Sequence, residues 1–176
     1  MPTFPPTDAD AYKALARAWA ATVTVVTARH GPGAAAESAP ELDGFTATAF
    51  LTVSINPPLV LVSVTNASSG LSLLREAEGF AVNLLLHSQT ELAAAFARPQ
   101  VERAALWNSL GWTPDQSGAP LLPGTAGAFS ARPRQFVEAG DHTLVLGDVT
   151  AIYLGDAGEE TLVYHNRGYG RVRRHE

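Results

Sequence analysis

A mainly β fold with peripheral helices, a closed or split antiparallel barrel, is what this sequence predicts. Phe45, Ala47, Ala49, Leu51 and Val53 alternate with Thr46, Thr48, Phe50, Thr52 and Ser54, the period-2 pattern of a strand. Further strand-like runs recur near 59–65, 80–86, 126–138, 143–154 and 161–165. Helical patterns do not alternate strictly with these runs, which disfavours a doubly wound parallel sheet. A chain of 176 residues predicts one domain, spanning 1–176 with its core at about 22–170.

The elements follow in chain order. Thr7 or Asp8 caps a first helix reaching about Ala20, with Tyr12, Leu15 and Trp19 on one stripe. Thr22 to Ala28 reads as a strand, and Gly31-Pro32-Gly33 as a turn. One strand covers about 45–54, and Asn56-Pro57-Pro58 enforces a turn into the apolar run Leu59-Val60-Leu61-Val62. Ser68 or Ser69 caps a short helix that Gly79 stops. Ser88-Gln89-Thr90-Glu91 has the spacing of a capping box, opening a helix that Pro99 ends. The stretch 100–124, holding Trp107, Trp112 and three prolines, reads as irregular before the final strands.

Composition excludes several function classes. Hydrophobic content of 46% with 16% charged residues describes a folded globule. A net charge of −5 argues against nucleic acid as a main partner. With no cysteine there is no disulfide, thiolate nucleophile or thiolate metal site, and the five histidines are scattered, so no metal is expected. No long apolar run predicts a membrane span, and the start lacks the pattern of a signal peptide; a soluble, cytoplasmic protein is the expectation. The basic residues Arg167, Arg171, Arg173 and Arg174 cluster near the end, most simply as solvated surface, with phosphate steering as the alternative.

Two segments carry chemistry. In Thr46-Ala47-Thr48-Ala49-Phe50 small alanines leave room for a flat ligand while the threonines offer hydrogen bonds. The Ser68-Ser69-Gly70 cluster stands where a strand passes into a helix, a setting whose free N–H groups and positive end suit a phosphate. Gly31-Pro32-Gly33-Ala34-Ala35-Ala36 matches a dinucleotide fingerprint in letters, but Pro40 leaves no room for the helix it requires and no acidic residue follows at the right distance.

Gly44-Phe45-Thr46-Ala47-Thr48-Ala49-Phe50, Ser54-Ile55-Asn56-Pro57-Pro58, the serine cluster, Phe80-Ala81-Val82-Asn83-Leu84-Leu85, Gly140-Asp141-His142 and Leu162-Val163-Tyr164-His165-Asn166-Arg167-Gly168-Tyr169 occur in one order. In that set the chain, from about Val23 to Tyr169, resembles the short-chain flavin reductases, the reductase components of two-component flavin monooxygenases. The resemblance implies a split β-barrel of the FMN-binding type and an NAD(P)H:flavin oxidoreductase. Such an enzyme reduces FMN or FAD with NADH or NADPH and passes reduced flavin to a separate monooxygenase. It implies a homodimer with its flavin groove near the twofold interface. It further implies that the isoalloxazine and ribityl chain lie along Thr46, Ala47, Thr48, Ala49 and Phe50, and the phosphate near Asn66, Ser68, Ser69 and Gly70, with Asn83 nearby. His142 falls on the nicotinamide side, oriented by Asp141, and Tyr169 at the ring edge. Many relatives carry Thr or Ser where Gly70 stands, so one phosphate hydroxyl is absent unless the Gly70 N–H replaces it. The alternatives are a non-catalytic flavin carrier or sensor of similar form and, more distantly, a split-barrel heme-binding or pyridoxamine-phosphate oxidase-like protein.

Overall fold

The computed structural model describes residues 8–31, 41–155 and 158–172. Strands dominate: β1 (Ala21–Thr22), β2 (Thr24–Arg29), β3 (Leu42–Ala47), β4 (Phe50–Ile55), β5 (Pro58–Thr65), β6 (Phe80–Leu84), β7 (Thr113–Pro114), β8 (Pro120–Leu121), β9 (Gly127–Ala139), β10 (His142–Leu154), β11 (Leu162–His165) and β12 (Gly168–Arg171). The helices are α1 (Ala9–Arg17), α2 (Ser69–Glu76), α3 (Thr90–Phe96) and α4 (Gln100–Arg103).

Seven strands form one antiparallel sheet in the order β3-β2-β6-β9-β10-β5-β4. Its two end strands, β3 and β4, are neighbours in sequence, joined only by Thr48 and Ala49. From Ala47 to Phe50 is three Cα steps, at most about 11 Å. The two edges must therefore approach each other, and the sheet curls into a barrel with a seam at that link. The seam is pinned on both sides: the Thr24 hydroxyl donates to the Ala47 carbonyl at 2.8 Å, and the Ser63 N–H donates to the Ala49 carbonyl at 2.9 Å. Thus the single strand expected over 45–54 is two strands on opposite edges of the sheet. Alternation in the letters runs through the corner although Thr48 is a bend, because the period-2 pattern of residue types does not register a change of chain direction.

Strand β2 is buried on both faces, with Val25 and Val26 both at 0% exposure. One cluster joins Leu71, Leu73 and Leu74 of α2 to Val26, Val62, Phe80, Val82 and Val145. The other joins Val23, Val25, Leu85 and Leu162 to Ala93, Phe96 and Trp107. A smaller sheet, β1-β11-β12, lies beside the barrel. Val23 interrupts the strand expected over 22–28, because its N–H bonds the Leu162 carbonyl of this smaller sheet.

The helices refine other expectations. Asp8 caps α1, its carboxylate accepting from the Asp10 and Ala11 N–H groups, but α1 stops at Arg17. Ser88 caps no helix through a capping box. Its hydroxyl and N–H both donate to Glu159, and the Gln89 side chain accepts from the Leu86 N–H before α3 begins. Gly79 lies beyond the end of α2, and an added Cβ there would meet Ser117. The stretch 100–124 contains α4, a 3-10 turn, and the β7-β8 pair, and Trp107 stacks edge-on against Phe96 and Trp112. Most of the Gly31–Ala36 motif, and Arg173 and Arg174, lie outside the described residues.

Candidate flavin site

The seam opens onto a pocket of about 730 Å³, within the range of about 300–1,000 Å³ usual for small-molecule sites. Thr48 and Ala49 supply one side, Tyr12 of α1 and Trp19 just beyond its end another, and Tyr164 of β11 a third. No residue of α1 is buried, and Tyr12, Leu15 and Trp19 are 76%, 77% and 77% exposed, so this stripe walls the pocket instead of entering the core. Tyr169 sits opposite Tyr164 in the β11-β12 pair, and the two rings meet edge-to-face at 5.3 Å. Partial burial, and then Tyr164, push the Tyr169 phenol above its ordinary pKa, so it is a neutral donor at neutral pH.

The C-terminal end of β5 gathers the second group. Thr65 faces His142 across the β5-β10 pair. The Asp141 carboxylate stands 2.7 Å from His142 Nδ1, and Thr65 Oγ1 stands 3.2 Å from Nε2. An ionised carboxylate only accepts, so Nδ1 carries the proton and Nε2 accepts from Thr65 in the neutral ring. The hydrogen bond from His142, and then its charge, hold the Asp141 carboxyl below its ordinary pKa. From the Ala49 anchor at Ser63 to His142 is two residues along β5 and two strands across, about 12 Å.

The chain then turns from Thr65 into α2. Asn66 ties this turn to the start of β10, donating to the Gly140 carbonyl at 3.2 Å and accepting from the Thr143 hydroxyl at 2.7 Å. Ser68 is the N-cap residue of α2, yet its side chain makes no capping bond, and its buried Oγ has no partner among the described residues. Ser69 Oγ accepts from Arg103 Nη2 at 3.2 Å, and Arg103 grips Asp43 with two bonds of 3.1 and 2.9 Å. Since Ser69 Oγ accepts this hydrogen bond from Arg103, its own hydroxyl hydrogen remains available to donate. Gly70 is buried beneath Phe45, whose ring atoms lie 2.6–3.1 Å from where a Cβ would stand. Packing therefore accounts for this glycine.

Other expected residues face elsewhere. The Thr46 hydroxyl donates to the Ala93 carbonyl of α3 at 2.6 Å, so it does not share an open face with Thr48. Ala47 is buried, and Phe50 turns inward against Phe129, ring centres 5.7 Å apart. Asn83 is fully buried; its amide donates to the Val25 and Pro120 carbonyls and to Thr27 Oγ1, and accepts from the Leu122 N–H. That saturates the side chain as a core amide and leaves nothing for a ligand. Sequence reasoning missed Tyr164 as a pocket wall and the buried Asp43–Arg103 pair. The stripe on α1 was visible in spacing, whereas partners 60 positions apart leave no local signal.

A family model described as the flavin reductase like domain matches residues 16–173. An NADH:FMN oxidoreductase of Rhodococcus qingshengii is 37% identical over 166 residues, covering 91% of this chain and 80% of the relative. The reductase component of a 4-hydroxyphenylacetate 3-monooxygenase from Thermus thermophilus is 34% identical over 163 residues, covering 93% and 96%. Among solved structures, an NADH:FAD oxidoreductase of Streptomyces globisporus, in complex with NAD and FAD fragments, superposes with a TM-score of 0.83 at 28% identity and covers 98% of each chain.

Proposed function

The chain belongs to the flavin reductase like domain family, and from that premise we infer how its own residues serve the reaction. It is an NAD(P)H:flavin oxidoreductase, and its similarity to reductase components of two-component systems supports delivery of reduced flavin to a separate monooxygenase. When bound, the nicotinamide supplies the hydride and the flavin accepts it. What remains for the protein is to bind, orient and exclude water.

The observation that carries this reading is the pocket at the barrel seam. Thr48 and Ala49 offer a small, partly polar surface for the isoalloxazine, and Tyr164 and Trp19 offer flat walls. The unpartnered Ser68 Oγ and the available hydroxyl hydrogen of Ser69 fit a phosphate, with the N-terminus of α2 beside them. We retain Thr48, Ala49, Ser68, Ser69 and Tyr169 as flavin contacts and give Asn66 the role of fixing the turn that carries the serines. The backbone of Thr46, Ala47 and Phe50 shapes the groove while their side chains hold the barrel; Asn83 is left to the core. His142, held by Asp141 and Thr65, positions the nicotinamide.

The fold also supports a homodimer, through the apolar outer face of β4. No described helix is long and apolar enough to cross a membrane. We place the reaction in the cytoplasm, since a cysteine-free chain needs no oxidising compartment.

Oxidation of NADH or NADPH with FMN, FAD or riboflavin in excess tests the reading. Steady turnover is expected with at least one flavin; none with any would reduce the protein to a carrier. Ser69→Ala should weaken FMN about 10- to 150-fold, for a lost charged hydrogen bond of roughly 1.5–3 kcal/mol, and leave riboflavin nearly unchanged.

A further inference from the structure

Resting on the reading that Thr48 and Ala49 line the flavin pocket, we propose that Lys13, Arg17 and Arg167 form a site at its mouth for the phosphate groups of a dinucleotide. Arg167 is the defining residue. All three cations line the pocket, and among the described residues no carboxylate does. Among the described residues none of the three has an ion-pair partner. In a chain with net charge −5 and only 12 basic residues, three unpaired cations on one cavity are not a reflection of bulk composition.

Backbone geometry supplies an independent observation. Asn166 and Arg167 form the two-residue turn between β11 and β12, and their φ values are 49° and 65°. A hairpin turn with positive φ at both central residues favours asparagine first and glycine second. Arginine stands where glycine would be easiest, so its side chain is kept on the pocket at a conformational cost. The turn is also clamped to α1, the Asn166 N–H donating to the Arg17 carbonyl at 2.8 Å. Arg17 and Arg167 are thus carried on elements tied together. Guanidinium groups match phosphate oxygens with paired hydrogen bonds, and Lys13 adds a point charge. Plain solvated surface gives no reason for arginine at φ 65°; anion recognition does.

Isothermal titration of the full chain with ADP-ribose, with and without saturating FMN, tests the site without turnover. Wild type should bind, and more weakly as KCl rises. Arg167→Gly should lower affinity about 3- to 10-fold, and the triple variant Lys13→Gln/Arg17→Gln/Arg167→Gly about 10- to 100-fold. Arg167→Gly should keep or raise the Tm, because glycine adopts φ 65° freely, so weaker binding cannot be misfolding. Two arms identify the source of the phosphates. If the hydride donor uses the site, KM for NADH rises in the variants while their FAD-to-FMN affinity ratio stays constant. If FAD uses it, FAD weakens relative to FMN and KM for NADH with FMN stays constant. No ADP-ribose binding by wild type, or equal binding by the triple variant, overturns the proposal. Failure of the underlying flavin reading would appear separately, as absence of FMN binding to wild type.

Discussion

His142 and Asn83 are both polar residues of the motif set, and they reach two different outcomes. His142 stands partly exposed between Asp141 and Thr65, its side chain 41% exposed and both ring nitrogens held within the chain. His142→Ala should lower kcat/KM for the nicotinamide about 5- to 150-fold while flavin affinity stays within about threefold. Wild-type kinetics in that variant would leave the histidine as a turn residue. Asp141 is the test of orientation. Its folded pKa is depressed, so its contribution is present above the ordinary carboxyl range and is lost as pH falls through the lowered value. The difference in urea midpoint between wild type and Asp141→Asn should therefore be seen at pH 7 and vanish in strong acid. Asn83 is the opposite case. Asn83→Leu leaves the Leu122 N–H and the carbonyls it served without partners, so a loss of roughly 2–4 kcal/mol in chemical unfolding is expected. Riboflavin and FMN affinities, measured at a stable temperature, should change alike. The sequence showed an amide in an apolar strand but not which neighbours would fill its bonds, since Thr27, Pro120 and Leu122 come from distant positions.

At the scale of elements, what was legible was local and what was hidden was long-range. Alternation found the strands at 45–54, yet the turn from one sheet edge to the other depends on Thr24 and Ser63 capturing the carbonyls on either side of Thr48. The serine cluster was read correctly as the start of α2. The reason for Gly70 was not, because Phe45 reaches it from another strand. An added Cβ would lie 2.6 Å from that ring. Gly70→Thr should therefore destabilise the protein by about 1–3 kcal/mol through overpacking, and tilt α2 enough to weaken FMN, despite restoring a hydroxyl. A variant of unchanged stability with tighter FMN would mean that the ring yields and that the hydroxyl was the missing contact. The stripe on α1 was equally visible in spacing, but spacing does not say whether an apolar face meets a core or a pocket.

Across the whole molecule, the seam that makes the barrel also leaves β4 at a sheet end with an apolar outer face. Leu51, Val53 and Ile55 alternate outward at 57%, 45% and 94% exposure. An exposed apolar end strand of this kind templates unwanted pairing unless something covers it. We therefore expect a homodimer that buries this face and braces the seam from outside. Leu51→Lys/Ile55→Glu places charges in the contact, where they lose hydration without pairing. In light scattering the wild type should have twice the chain mass and the variant the mass of one chain. If the brace matters for the site, the monomeric variant should also lose FMN affinity, although neither residue lines the pocket. A wild type that is monomeric at working concentration and still reduces flavin would show that β4 tolerates its exposure, and that the seam is held by the Thr24 and Ser63 hydrogen bonds alone.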